Sequence, residues 1–130
     1  MLFLDTNGNE TGGLALAKLG NKEIGNLTFD YTYQLTDGIR MWKQETADGK
    51  WWRTAFSIFD RRPYHPGAPT SSQGIERIAL SDQNKGVSLV ISDPQGHPRI
   101  QIGVDSAGKP VSEMLSAAGR VVYRAGSVHH

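Results

Sequence analysis

The sequence predicts an all-β fold: an antiparallel meander of about nine or ten short strands that closes into a barrel or a sandwich. Three observations predict it. Apolar and polar residues alternate with period 2 over many short runs, as they do in half-buried strands. Turn signals built on Asp or Ser and Gly punctuate these runs, with glycines 86, 96, 108 and 119 spaced by 10, 12 and 11 residues. No window of ten or more residues carries a helical period, and the one ambiguous patch, Glu113–Ala118, is too short to hold a helix alone.

The elements follow in chain order. Met1-Leu2-Phe3 begins directly on a strand-like run, which suggests that an upstream segment is missing. Asp5, Asn7 and Asn9 alternate as the first ligands of a calcium loop do, but position 6 of that loop is Glu10 instead of glycine and position 12 is Leu16 instead of glutamate. Asn7-Gly8 instead reads as a hairpin turn, and Gly12-Gly13 as a bulge or close backbone approach at the start of the second strand. Leu27 to Thr36 is the clearest strand, with Leu27, Phe29, Tyr31, Tyr33 and Leu35 on one face. Asp37-Gly38 and Asp48-Gly49 read as turns. In the strand that follows, Trp52, Phe56 and Ile58 share the core face, while Trp51 shares the more polar face with Arg53, Ala55 and Ser57.

Residues 60–74 interrupt the rhythm. They hold three of the six prolines and form an irregular loop, long for a compact domain. Alternation then resumes in Val87–Ser92, Arg99–Val104, Val111–Leu115 and Val121–Arg124, separated by Asp93-Pro94-Gln95-Gly96, Asp105-Ser106-Ala107-Gly108 and Ser116-Ala117-Ala118-Gly119. Asp82 to Gly86 is a further turn. So many strands in a single open sheet leave a wide apolar face uncovered, so the fold must close, double over or associate.

A chain of 130 residues is most simply one domain, here residues 1–126, able to bury roughly two thirds of its unfolded surface. Residues 127–130, ending in His129 and His130, read as a vector-derived tail with part of a polyhistidine tag. There is no cysteine, so disulfides, cysteine-zinc sites and thiol nucleophiles are excluded. The net charge of +1 does not draw the molecule toward nucleic acid or an anionic membrane. No signal peptide or membrane-spanning run is present, and a cytoplasmic location is the default expectation.

Asp5-Thr6-Asn7-Gly8-Asn9-Glu10-Thr11-Gly12-Gly13-Leu14 resembles a segment of a family of uncharacterised bacterial β-rich proteins, where an acidic-Gly turn is followed by Glu, a variable residue and Gly-Gly-Leu. Leu27–Tyr31, Phe56–Pro63, Ser92–Ile100 and the segment from Val104 to Val121 resemble its later blocks. Members of that family carry an additional N-terminal hairpin and a longer middle insertion. The resemblance implies an order of strands and no catalytic residue, because the family has no established activity.

The candidate ligand-binding residues are Arg61, Arg62, Tyr64 and His65 on the proline-rich loop, together with Trp51. Two guanidiniums, a phenol and an imidazole could receive phosphate or carboxylate, and His65 could move a proton. The commoner role of such a segment is structural, with Arg61 or Arg62 pairing with Asp60 or a neighbouring acid and Tyr64 packing on the body. Trp51 could stack on a sugar, a base or a partner subunit. His97 sits in a turn and reads as solvated. No phosphate loop, paired catalytic carboxylates, nucleophile elbow or RNA-binding signature is present, so no cofactor, metal or catalytic residue is expected. The expected function is a non-catalytic β module that self-assembles or binds a protein partner. The alternatives are a barrel binding a small anion with the 60–74 loop at its mouth, and, more remotely, an enzyme using His65 with Arg61 or Arg62.

Overall fold

The structure is a computed structural model that describes residues 1–31, 36–61, 74–84 and 86–125. It contains ten strands: β1 (Leu2–Leu4), β2 (Glu10–Leu19), β3 (Lys22–Tyr31), β4 (Thr36–Thr46) and β5 (Trp52–Phe59), then β6 (Glu76–Gln83), β7 (Gly86–Ser92), β8 (Pro98–Asp105), β9 (Pro110–Leu115) and β10 (Val121–Arg124). All belong to one antiparallel sheet in which each strand pairs with its sequence neighbours, from β1 to β10 in order. The all-β meander expected from the alternation is therefore what forms. Among the described residues, no helix is long and apolar enough to cross a membrane.

Closure into a barrel does not take place within the chain. A barrel would need β1 to pair with β10, and these are the two ends of an open sheet. One chain therefore supplies a single layer.

Two boundaries differ from the sequence reading. The strand expected over Leu27–Thr36 ends at Tyr31, and Thr36 opens the next one; Tyr33 and Leu35 lie outside the described residues. Asp37-Gly38, expected as a turn, lies inside β4 at a bulge where the register skips a residue between Phe29 and Asp30. Gly38 leaves room there for a close neighbour. The Tyr31 ring lies against the position a Cβ would occupy, and the Tyr31 hydroxyl donates to the Phe59 carbonyl on β5 at 2.8 Å.

The hairpins repeat one local design. In the turns beginning at Asp5, Asp93, Asp105 and Ser116, the glycine N–H three residues on donates to the first residue's carbonyl at 2.9–3.0 Å. The first residue's N–H reaches the carbonyl four residues on, and Gly8, Gly96, Gly108 and Gly119 have φ between +77° and +86°. Such a turn followed by a left-handed glycine matches the right-handed twist of the flanking strands. The side chain completes it: each Asp Oδ1 accepts the N–H groups two and four residues on, at 2.8–3.0 Å. Asp5 and Asn9 thus serve a turn, with the Asn9 amide donating to Asp5 Oδ2 at 3.0 Å. The expected irregularity beside Gly12-Gly13 is a bulge at Thr11, which the register between β1 and β2 skips. Gly12 has φ of +143°, and a methyl group there would collide with the Thr28 carbonyl.

The register sorts side chains onto two faces. On one, Phe29, Ile39, Ile58, Ile78, Ile91, Ile100 and Met114 oppose one another in an unbroken row from β3 to β9. A second row runs Leu14, Leu27, Met41, Phe56, Leu80, Leu89 and Ile102 from β2 to β8. The other face carries Thr28, Arg40, Trp42, Ala55, Ser57, Ala79 and Ser81 in the middle of the sheet. Burial runs opposite to hydropathy. Ala55, Ser57, Ala79 and Ser81 are buried on the polar face, whereas Phe29, Met41, Leu80 and Ile102 on the apolar face remain about half exposed. Small residues lie among longer side chains there, but among the described residues no strand lies over the apolar rows.

Candidate functional site

The expected loop site divides at the edge of what is described. Arg62, Tyr64 and His65 lie outside the described residues, while Arg61 is exposed. The base of the loop is closed by an Asp60 N–H donating to the Ile75 carbonyl at 2.8 Å. The Asp60 carboxylate is engaged by Arg77 of β6, whose Nη1 lies 3.0 and 3.1 Å from its two oxygens, and Arg77 Nε donates to the Ser92 carbonyl at 2.8 Å. Asp60 is therefore held by an arginine other than Arg61.

Trp51 lies at the other end of β5 from Arg61. It precedes β5 and Arg61 follows it, so roughly 30 Å of extended chain separates them. The indole is half-buried with the Lys22 ammonium 5.8 Å from its ring centre, and its backbone closes the β4–β5 hairpin against Thr46. Trp51 therefore serves that hairpin. The described strands, an open sheet, enclose no lumen.

A different cluster stands on the polar face. Arg40, Trp42 and Gln44 alternate along β4 and so point the same way. Trp42 lies directly opposite Asn26 on β3 and Ala55 on β5; Arg40 lies opposite Thr28 and Ser57; Gln44 lies opposite Ile24 and Arg53. The Arg40 guanidinium carbon is 5.5 Å from the Trp42 ring centre and 4.9 Å from that of Phe59, and the Arg53 carbon is 4.9 Å from Trp42. Phe59, Arg40, Trp42 and Arg53 thus form a ladder of alternating aromatic and cationic groups.

The ladder leaves polar atoms unmatched. Arg40 Nε, Trp42 Nε1, Arg53 Nε, Asn26 Oδ1 and Ser57 Oγ are buried without a hydrogen-bond partner, and Ser57 is 0% exposed. An unmatched buried polar group costs about 1–3 kcal/mol. A cleft of about 220 Å³ is lined by Ile24, Asn26, Arg40, Trp42 and Gln44, three of which carry these unmatched atoms. Arg40 is paired with Asp37 at 3.3 Å. On the same face, toward the Tyr31 end, burial pushes the Asp30 carboxyl above the usual carboxylate range, and the neighbouring Asp37 and Glu10 add to that effect.

The signal that could have found this cluster was the Arg-x-Trp-x-Gln alternation. The pairing of Gln44 with Arg53, which brings the second guanidinium to the indole, is a matter of register across a hairpin. Comparison with family models, curated proteins and solved structures finds no match for the chain.

Proposed function

We propose that the chain is a non-catalytic β module that assembles with a second copy of itself, the apolar faces of two sheets packing together to form the sandwich that one chain does not close alone. The observation that carries this reading is the pair of unbroken apolar rows on the uncovered face. Exposed apolar patches of monomeric proteins are normally a few hundred Å². Ten strands about 4.8 Å apart and about eight residues long give a face on the order of 1,000 Å², above the roughly 800 Å² each partner contributes to a standard interface.

Charge favours a second copy over an unlike partner. On the apolar face, Lys18, Glu23, Lys43, Glu45 and Asp82 gather at one end of β2 to β6. This margin carries both signs, and Lys43 already pairs with Glu45 at 2.7 Å. A two-fold axis brings such a mixed margin against itself without net repulsion. The arrangement of apolar centre and charged rim is that of protein interfaces in general.

The absence of cysteine gives a clean test. In Ile102→Cys, on the apolar face, a bulky maleimide reacts quickly in dilute solution and slowly once the protein is concentrated. In Gln101→Cys, on the polar face, the rate is the same at both concentrations. Equal concentration-independent labelling at both positions would eliminate self-assembly through this face.

A further inference from the structure

The polar face carries a second inference, independent of how the apolar face is covered. We infer that the cleft lined by Ile24, Asn26, Arg40, Trp42 and Gln44 is a binding site for a small oxyanion, a carboxylate or phosphate group, with Arg53 supplying the charge that attracts it.

Three observations converge on this chemistry. The first is a cation without a counter-charge. Arg53 is half-buried, and its direct neighbours on the two adjoining strands are the neutral amides Gln44 on β4 and Gln83 on β6. Every aspartate and glutamate of the sequence falls among the described residues, so no acidic side chain beyond them is left to neutralise it. The acids of the ends of β4 and β6, Glu45 and Asp82, point to the opposite face. Arg40, by contrast, has Asp37. The ladder therefore holds one more positive charge than its ion pairs balance.

The second is the type of atom left unmatched. Arg40 Nε, Trp42 Nε1 and Arg53 Nε are N–H donors buried without an acceptor on side chains stacked one on the next, and they outnumber the one pure acceptor left unmatched beside them, Asn26 Oδ1. An oxyanion is an acceptor with several lone pairs and a negative charge, so it answers both the donor surplus and the charge surplus. A neutral apolar guest would answer neither.

The third is size. The space of about 220 Å³ is below the 300–1,000 Å³ typical of pockets for drug-sized ligands. It suits a carboxylate, a phosphate or a small molecule bearing one. The amides of Asn26 and Gln44 on the lining offer further hydrogen bonds to substituents on such a molecule. The indole faces are already covered by guanidiniums, so Trp42 contributes its N–H edge.

Titration followed by the indole N–H signals in two-dimensional ¹H–¹⁵N NMR of the intact protein tests the inference, with the Trp42 signal assigned by its loss in Trp42→Phe. Sodium phosphate and sodium acetate are the probes, and sodium chloride at matched ionic strength is the control. A saturable shift of the Trp42 signal with phosphate or acetate and none with chloride is expected, and the tighter of the two probes names the preferred group. Arg53→Gln weakens that binding at least tenfold, whereas Arg77→Gln, which removes the cation held by Asp60, leaves it unchanged. A Trp42 signal that does not saturate, or that follows chloride equally, overturns the inference from the wild-type protein alone. Unchanged binding in a folded Arg53→Gln overturns it as well.

Discussion

Leu80 sits near the middle of the apolar face, on β6, between Phe56 and Leu89 in the second apolar row. It is 49% exposed in the single chain. Full burial of a leucine is worth about 1.5–3 kcal/mol, so covering the half that remains contributes about 1 kcal/mol. A two-fold interface contains this position twice, and Leu80→Ser therefore weakens the dimer by about 2 kcal/mol. At about 1.4 kcal/mol per decade, the dissociation constant rises roughly thirtyfold. Sedimentation velocity over a dilution series of both proteins measures the shift. Gln101→Ser, on the polar face, provides the control and leaves the constant unchanged. Equal dissociation constants for wild type and Leu80→Ser would refute the assignment of this face to the interface, as would an equal rise in the control.

Three further outcomes follow from the fold. Gly103→Ala places a methyl group against the Val87 carbonyl across the β7–β8 pair, a collision with backbone that side-chain rotation cannot relieve, and loses about 2 kcal/mol or more in urea denaturation. In Asp105, the backbone N–H of Lys109 and then that of Ala107 hold the carboxyl below its usual range. A folded-state value below the unfolded one stabilises the ionised form, so the contribution is complete at neutral pH and fades as the pH falls below about 4. Asp105→Ala accordingly lowers the melting temperature at pH 7 and has a much smaller effect at pH 2.5. Asp30 has the opposite sign: burial first, then the charges of Asp37 and Glu10, raise it, so its ionisation opposes folding as the pH rises through the raised value. Asp30→Asn raises the melting temperature at pH 7 and gives no gain at pH 3.

What the sequence discloses depends on how far apart the interacting residues lie. The Asp-x-x-Gly turns are legible because their hydrogen bonds join residues two to four apart, and a carboxylate plus a left-handed glycine specifies them. The faces of β7 and β8 are legible because alternation is local. Asp37-Gly38 is misleading for the same reason: an Asp-Gly pair fits a turn, and only the Tyr31 ring lying on Gly38 and bonding across to Phe59 places it inside a strand. Closure is illegible, because it depends on whether the first strand meets the last. The ladder of Arg40, Trp42 and Arg53 is half legible. Two of its members alternate on β4, but the third arrives by the register of β5. Trp51 attracts notice as a tryptophan on the polar side of its strand, yet the Lys22 ammonium already lies over its ring. Trp42, by contrast, stands beside the unmatched donors of the two arginines.

In the proposed dimer, a second copy covers what one sheet leaves open. Sedimentation equilibrium of the unaltered chain tests it most directly, because the fitted mass requires no variant and no ligand. The account predicts a mass approaching twice 14.2 kDa as concentration rises. A mass that stays at 14.2 kDa up to about 100 μM, where even a dimer of micromolar affinity is largely formed, contradicts it.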